Sequence, residues 1–249
     1  MTLPPVEIFE RAGLEAWPGI TVKWDGSWVR RASGGYTKRA NSAQCFDPTD
    51  DADADLRIIS ASSWLIVNGA KPVFRITPLS APALNDALDR AGWVEIDHSH
   101  LYAMPLGVHA PDAEGETLSL DDPAFLAAQK QLQGYDDVQL NRMRALLAVM
   151  AVPACGIVIH RDGEAVASGL MAISHGIVIT GNVITDPVRR RQGLGAAMMH
   201  TGLAWARNNG ATIAALNVQA DNPAGKALYA ALGYTHQYDY HYRIPGGPK

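Results

Sequence analysis

The sequence predicts an α+β protein in which a mixed, mostly antiparallel sheet is flanked by helices. Three observations carry that expectation. In the second half, segments of helical and strand periodicity follow one another as α-α-β-β-β-α-β-α-β. The first half repeats this order more faintly. Both halves also end alike: A-G-W-V-E-I-D-H-S-H-L-Y-A-M begins at Ala91 and A-L-G-Y-T-H-Q-Y-D-Y-H-Y-R-I at Ala231. Each passes from a helix end through glycine and an aromatic residue into an extended tail. Two copies of one unit are therefore expected, over residues 1–107 and 118–249, the second complete and the first degenerate.

In chain order, residues 28–31 and 35–41 read as strands, 54–68 as a helix, 72–76 as a strand and 81–91 as a helix. The stretch P-L-G-V-H-A-P-D-A-E-G-E-T-L, from Pro105 to Leu118, lacks periodicity and reads as a linker. Asp121-Asp122-Pro123 then supplies helix-start chemistry, with acids at the positive end of the dipole and proline in the first turn. Helices are expected over 123–132 and 136–150, the latter from Val138, Met143, Leu146, Leu147 and Met150. Asp162-Gly163 is a hairpin signal between strands 156–160 and 165–174. A strand at Ile177–Thr185, a helix at Leu194–Asn208, a strand at 211–218, a helix at 223–232 and a strand at 234–244 complete the chain.

The 249 residues suffice for one large domain or two modest ones. A formal charge of -4 gives no reason to expect nucleic acid or an anionic membrane as partner. No run has the length of a membrane span, and M-T-L-P-P-V-E-I-F-E lacks the basic-then-apolar order of a signal peptide, so a cytoplasmic protein is expected. Cys45 and Cys155 are too few for a disulfide scaffold and lack metal-ligand spacing.

The segment V-I-T-D-P-V-R-R-R-Q-G-L-G-A-A-M-M from Val183 carries the chemistry. A strand enters a turn with three arginines, then two glycines one residue apart open a helix. The first N–H groups of a helix lack partners, and glycine lets a bulky anion approach them, so a phosphate-bearing ligand is implied. Met198 stands where a dinucleotide fingerprint needs its third glycine, and no Walker loop is present.

Arg190-Arg191-Gln192-Gly193-Leu194-Gly195 resembles the (Gln/Arg)-x-x-Gly-x-(Gly/Ala) signature of the GNAT family, the Gcn5-related N-acetyltransferases. Downstream, D-N-P-A-G-K-A-L-Y-A-A-L-G-Y places Asn222 and Tyr229 at family-like spacing. The resemblance implies that amides within Arg191, Gln192, Gly193, Leu194, Gly195 and Ala196 cradle the acetyl-CoA pyrophosphate, with Arg190 beside them. It implies that Val183, Ile184 and Thr185 line the pantetheine arm and that Asn222 contacts the cofactor. Tyr229 would protonate the departing thiolate, although packing alone also explains a tyrosine beside Leu228 and Leu232. Asn222 before Pro223 also suits a helix N-cap.

The expected activity is transfer of an acetyl group from acetyl-CoA to a primary amine of a small molecule or peptide, by direct attack. The alternative is a non-catalytic acyl-CoA-binding regulatory protein. The base is unassigned: no acid lies between Ile177 and Thr185, and Asn217 stands where some members carry glutamate. A water chain, Glu164, His175 or His236, or the first-half cluster Glu95, Asp97, His98 and His100 remain open. No metal is expected, and the protein is expected to be a monomer or homodimer. The first half has F-D-P-T-D-D-A-D-A-D-L where a phosphate loop would stand, an acidic run that would repel CoA. Residues 28–42, W-V-R-R-A-S-G-G-Y-T-K-R-A-N-S, resemble the N-terminal part of some two-unit bacterial acetyltransferases. Trp17, Trp24, Trp28 and Trp64 are candidates for an acceptor pocket.

Overall fold

A computed structural model describes residues 2–107 and 114–247. Among them the apolar alternation of the strands is resolved into one eleven-stranded sheet. The first half contains α1 (Val6–Ala16), β1 (Thr21–Asp25), β2 (Trp28–Ala32), β3 (Ala43–Cys45), α2 (Ala54–Val67), β4 (Phe74–Ile76), α3 (Pro82–Arg90) and β5 (Trp93–Pro105). The second contains β6 (Glu116–Leu118), α4 (Pro123–Gln133), α5 (Asp137–Leu147), β7 (Ala154–Arg161), β8 (Glu164–Ser174) and β9 (Ile177–Thr185). It closes with α6 (Leu194–Asn208), β10 (Ile213–Gln219), α7 (Pro223–Ala231) and β11 (Thr235–Pro245).

The strand order is β1-β2-β3-β4-β11-β5-β10-β9-β8-β7-β6. β11, the last described strand along the chain, thus lies between β4 and β5 of the first half. Read inward from β1, the ladders run antiparallel, antiparallel, parallel, antiparallel, antiparallel. Read inward from β7, they follow the same sequence of types. β5 and β11 occupy equivalent central places in the two readings.

Local chemistry sets the helix boundaries. Asp122 accepts a hydrogen bond from Ala124 N at 2.8 Å, Pro123 opens α4, and Gly134 ends it at φ +69°. Asp136 and Gln139 form a reciprocal capping box on α5. α6 begins at Gly193, whose φ of +76° suits glycine.

Two expected features differ. Residues 35–41 form a loop and a 3-10 helix (Lys38–Ala40), and the strand lies later, at β3. Asn41 is the reason: its Oδ1 accepts from Ser33 N (2.7 Å) and Gly35 N (3.0 Å), while its amide donates to Thr37 O (2.8 Å). These bonds close a loop that Gly34 and Gly35 enter at positive φ. The expected linker ends in β6, an edge strand pairing Thr117 with Ile157; its residues 108–113 lie outside those described.

Alternating side chains build cores on both faces of the sheet. α1 with the Trp17 that follows it, α4 and α5 contribute Phe9, Trp17, Phe125, Met143 and Leu146 to one core, and α6 places Met198, Met199 and Leu203 in another. A third gathers Trp28, Phe74, Leu84, Leu88 and Trp93 beneath α2 and α3. α1 belongs to the first half of the chain but packs on β8 and β9 of the second. There the Trp17 ring occupies the space a side chain would need at Gly181. Gly181→Ala should destabilise the fold by about 1–3 kcal/mol through overpacking, measured as a lower urea midpoint; an unchanged midpoint would show that Trp17 yields freely.

α1 also carries a buried charge cluster. Glu10 receives Arg75 at 2.8 and 3.0 Å, Gln44 Nε2 at 2.7 Å and Tyr238 OH at 2.6 Å. Arg75 lies 3.6 Å from the Tyr240 ring centroid. Four elements (α1, β3, β4 and β11) meet on one carboxylate.

Candidate active site

The site begins where two parallel strands part. β9 and β10 pair from Ile177↔Ile213 to Thr180↔Leu216 and then separate. β9 stays bonded to β8 as far as Thr185↔Ala167, and β10 to β5 as far as Gln219↔Ser99. The divergence coincides with Asn182 at φ +51° and a register shift opposite it. The side-chain amides of Gln129 and Gln133 hold the Asn182 carbonyl at 3.3 and 3.4 Å. Facing backbone edges are left open to a ligand.

The opening has two arms, which share Val183, Asn222 and Tyr229. The first contains most of the site residues expected from sequence: Val183, Ile184, Thr185, Arg190, Arg191, Gly193, Leu194, Gly195, Ala196, Asn222 and Tyr229. Gln192 is exposed in the same turn but does not line the arm. The first bond of α6 is Ala197 N to Gly193 O at 2.9 Å. The N–H groups of Leu194, Gly195 and Ala196 have no protein partner among the described residues, so the positive end of α6 faces the arm. Nothing lies within 4 Å of a side chain built at Gly193, whereas one at Gly195 would press on Leu228 of α7. One glycine keeps the mouth open; the other lets two helices approach.

The three arginines separate in role. Arg189 is tied to Asp162 and Glu164 at 3.2 and 3.1 Å, with Asp186 at 3.9 Å. Arg190 and Arg191 are exposed and form no ion pair among the described residues. An exposed guanidinium pair beside unpartnered amides fits a pyrophosphate.

Tyr229, from α7, stands where the arms meet, nearly buried and with its ring 5.9 Å from that of Tyr234. Burial pushes its phenol pKa up, against a smaller downward pull from Arg39, so it is protonated at neutral pH. Asn222 caps α7 by accepting from Gly225 N at 2.9 Å. The cap leaves its amide N–H group available at the junction.

The second arm is assembled across the whole chain. Tyr36, Thr37 and Arg39 come from the first-half loop, Gln133 and Tyr135 from the end of α4, Asn182 from β9 and Asn217 from β10. Tyr36 and Tyr135 share a hydrogen bond at 2.9 Å, and Asn182 Nδ2 donates to Tyr36 OH at 2.7 Å. Of these residues the sequence pattern marks only Asn217, and Tyr36, Thr37 and Arg39 as part of the 28–42 segment; nothing in it signals Gln133, Tyr135 or Asn182. Asn217 Oδ1 is buried without a hydrogen-bond partner.

The candidate bases lie elsewhere. Glu164 is held by Arg189, and His175 sits at the opposite end of β9 near Glu15 at 3.5 Å. His100 and His236 share Asp239 Oδ1 at 2.5 and 2.6 Å, while His98 and His241 flank Glu95 at 3.4 and 3.5 Å. Asp97 pairs with Lys38 at 2.7 Å. His98 and His100 alternate with cleft-lining Ser99, so they point to the other face of the sheet. The tryptophans do not line either arm; Trp17 and Trp28 are core residues. Tyr36, Tyr135, Tyr229 and Tyr240 supply the aromatic surface instead.

A mixed sheet split between parallel strands, with an anion-ready helix N-terminus at the mouth of the split, defines an acyltransferase of the GNAT class. Residues 6–243 match the family described as "Probable histone acetyltransferase Rv0428c C-terminal", and the chain belongs to that family. A curated relative, "Uncharacterized N-acetyltransferase YobR" of Bacillus subtilis (strain 168), is 24% identical over 241 residues, covering 94% of this chain and 96% of the relative. Among solved structures, a GCN5-related N-acetyltransferase from Kribbella flavida superposes with a TM-score of 0.71 at 20% identity, covering 99% and 98% of the two chains. A tandem GNAT protein from the clavulanic acid biosynthesis pathway has a TM-score of 0.65 at 13% identity, covering 100% of this chain and 90% of its own.

Proposed function

We propose that the protein transfers the acetyl group of acetyl-CoA to a primary amine of a small molecule or peptide by direct attack. The observation that carries this reading is the meeting of two arms at Tyr229. In the first arm, amides within residues 191–196 and the side chains of Arg190 and Arg191 would hold the pyrophosphate. Pantetheine would pair with the open edge of residues 183–185, and Asn222 would contact it near the thioester. The amine, entering by the second arm, forms the N–C bond as the C–S bond breaks. Tyr229 gives its phenolic proton to the departing sulfur, and the proton lost by the nitrogen returns through water to the phenolate.

Tyr229→Phe should lower kcat about a hundredfold, the lower end of what a positioned acid supplies, with unchanged acetyl-CoA affinity by calorimetry. Equal turnover would remove Tyr229 from the mechanism. No Asp, Glu or His lines either arm among the described residues, which is the observation favouring the second reading, a non-catalytic acyl-CoA-binding regulator. Release of free CoA across a panel of amines separates the two.

The division into units 1–107 and 118–249 is part of the same proposal. The repeated order of ladder types supports it, with β5 and β11 each completing the other unit's sheet. The first unit would bind no CoA, because its acidic run serves structure. Asp50 accepts from Ser27 N and Oγ at 2.8 and 2.7 Å and from Arg57 at 2.7 Å, and chiefly that Arg57 bond holds its carboxyl well below the usual range. No described helix is long and apolar enough to cross a membrane. A cytoplasmic monomer or homodimer, without nucleic acid or membrane partners, fits this reading.

A further inference from the structure

We propose that the acceptor carries a carboxylate close to its amine, and that Arg39 reads it. The inference rests on the proposed donor site and names the class of acceptor. Its observation is the charge content of the second arm. Among the described residues lining that arm, Arg39 is the only charged one. The others are aromatic, apolar, hydroxyl or amide groups such as Tyr36, Thr37, Gln133, Asn182 and Gln219.

Arg39 is also a cation without an anion. It makes no hydrogen bond or ion pair among the described residues, although it is half-buried. Instead its guanidinium sits 5.2 Å from the Trp17 ring centroid. The backbone is fixed as well: Arg39 belongs to the 3-10 turn that Asn41 closes. The neighbouring cation, Lys38, is neutralised by Asp97 at 2.7 Å. The charge of Arg39 is felt at Tyr229, Tyr36 and Tyr135, where it pulls the phenol pKa values downward against burial. It therefore acts on the place where the two arms meet.

A half-buried guanidinium offers five N–H donors in a planar fork that fits two carboxylate oxygens. Seated there, a carboxylate would keep an amine on its α- or β-carbon within the arm that Tyr229 also lines. Polyamines and lysine-rich tails have the opposite fit: they bring further cations to a wall that has one cation and no acid. Phosphate shares the anionic requirement, so the test must separate it from carboxylate.

The experiment compares amines with and without the anion on the full-length protein: phenylalanine against phenethylamine, β-alanine against ethylamine, and O-phosphoethanolamine against ethanolamine. Spermidine and a lysine-rich peptide are included. Free CoA release gives kcat/KM, and calorimetry of the N-acetylated products with CoA present gives the same ranking without turnover. The carboxylated member should exceed its partner by about thirtyfold, as charge-assisted hydrogen bonds allow. In Arg39→Gln that advantage should fall below about threefold, and Arg39→Lys should keep part of it. Acetyl-CoA affinity should stay unchanged in both, which also reports that they fold. Equal or greater use of the decarboxylated amines, spermidine or the peptide overturns the proposal, as does preference for the phosphate or an absence of ranking among products. Failure of the wild-type protein to bind acetyl-CoA would instead overturn the donor reading beneath it.

Discussion

Gly193→Glu should abolish acetyl-CoA binding while leaving the fold in place. Gly193 is the N-cap of α6 at φ +76°, and nothing lies within 4 Å of a side chain built there. A glutamate would therefore find room, at a backbone cost of about 1–2 kcal/mol for a left-handed non-glycine residue. Its carboxylate would sit beside the free N–H groups of residues 194–196, where the pyrophosphate is expected, and repel it. Affinity by calorimetry should fall at least about a hundredfold, equivalent to roughly 2.7 kcal/mol. Gly193→Asn is the matched control, since asparagine tolerates the left-handed region without adding charge. It should lose less affinity than the glutamate variant, the difference reporting the added charge rather than bulk. Full affinity in the glutamate variant would remove this turn from the donor site.

The second large effect is on stability. Removing the Glu10 carboxylate as Glu10→Ala leaves the buried Arg75 charge uncompensated, and such a broken pair costs about 3–5 kcal/mol. Burial alone would raise the Glu10 pKa, but the Arg75 charge and the hydrogen bonds from Arg75, Tyr238 and Gln44 outweigh it and hold the pKa lowered. A carboxyl whose folded pKa lies below its unfolded one stabilises fully above the unfolded value, about 4.5. That contribution is lost as pH falls through the folded pKa. Urea unfolding should thus show the full deficit at pH 7, narrowing as the pH drops below about 4. A deficit under about 1 kcal/mol at pH 7 would mean that the cluster contributes only what an exposed pair does.

The arm at the start of α6 was legible in the sequence because its lining falls in two short stretches, 183–196 and 222–229. β9 and α6 lie at the predicted bounds, Ile177–Thr185 and Leu194–Asn208. Both are long and periodic, and glycines punctuate the turn between them. The second arm had no such signature. It draws on residues 36, 37, 39, 99, 133, 135, 180–183, 216–219, 222, 229 and 240, which only the tertiary fold brings together. The loop at 35–41 is instructive. Its residues suit a strand locally, yet three hydrogen bonds from one side chain, Asn41, decide its shape. α1 and β1 drew no expectation. α1 owes its position to Trp17 on β9 and Glu10 among β3, β4 and β11, partners far away in sequence.

The place of β11 has a consequence for how the protein is made. Most sheets grow at their edges, so a newly synthesised strand joins what is already folded. Here β11, later in the chain than every other described strand, belongs in the middle, and Tyr242 must find Arg75 across 167 residues of chain. Until then the inner edges of β4 and β5 stay unpaired, with their hydrogen-bonding groups turned toward water. Such distant pairing makes for slow folding. It also makes the two halves obligatory companions: neither finishes its sheet before the other has been translated, and each supplies the template on which its neighbour closes.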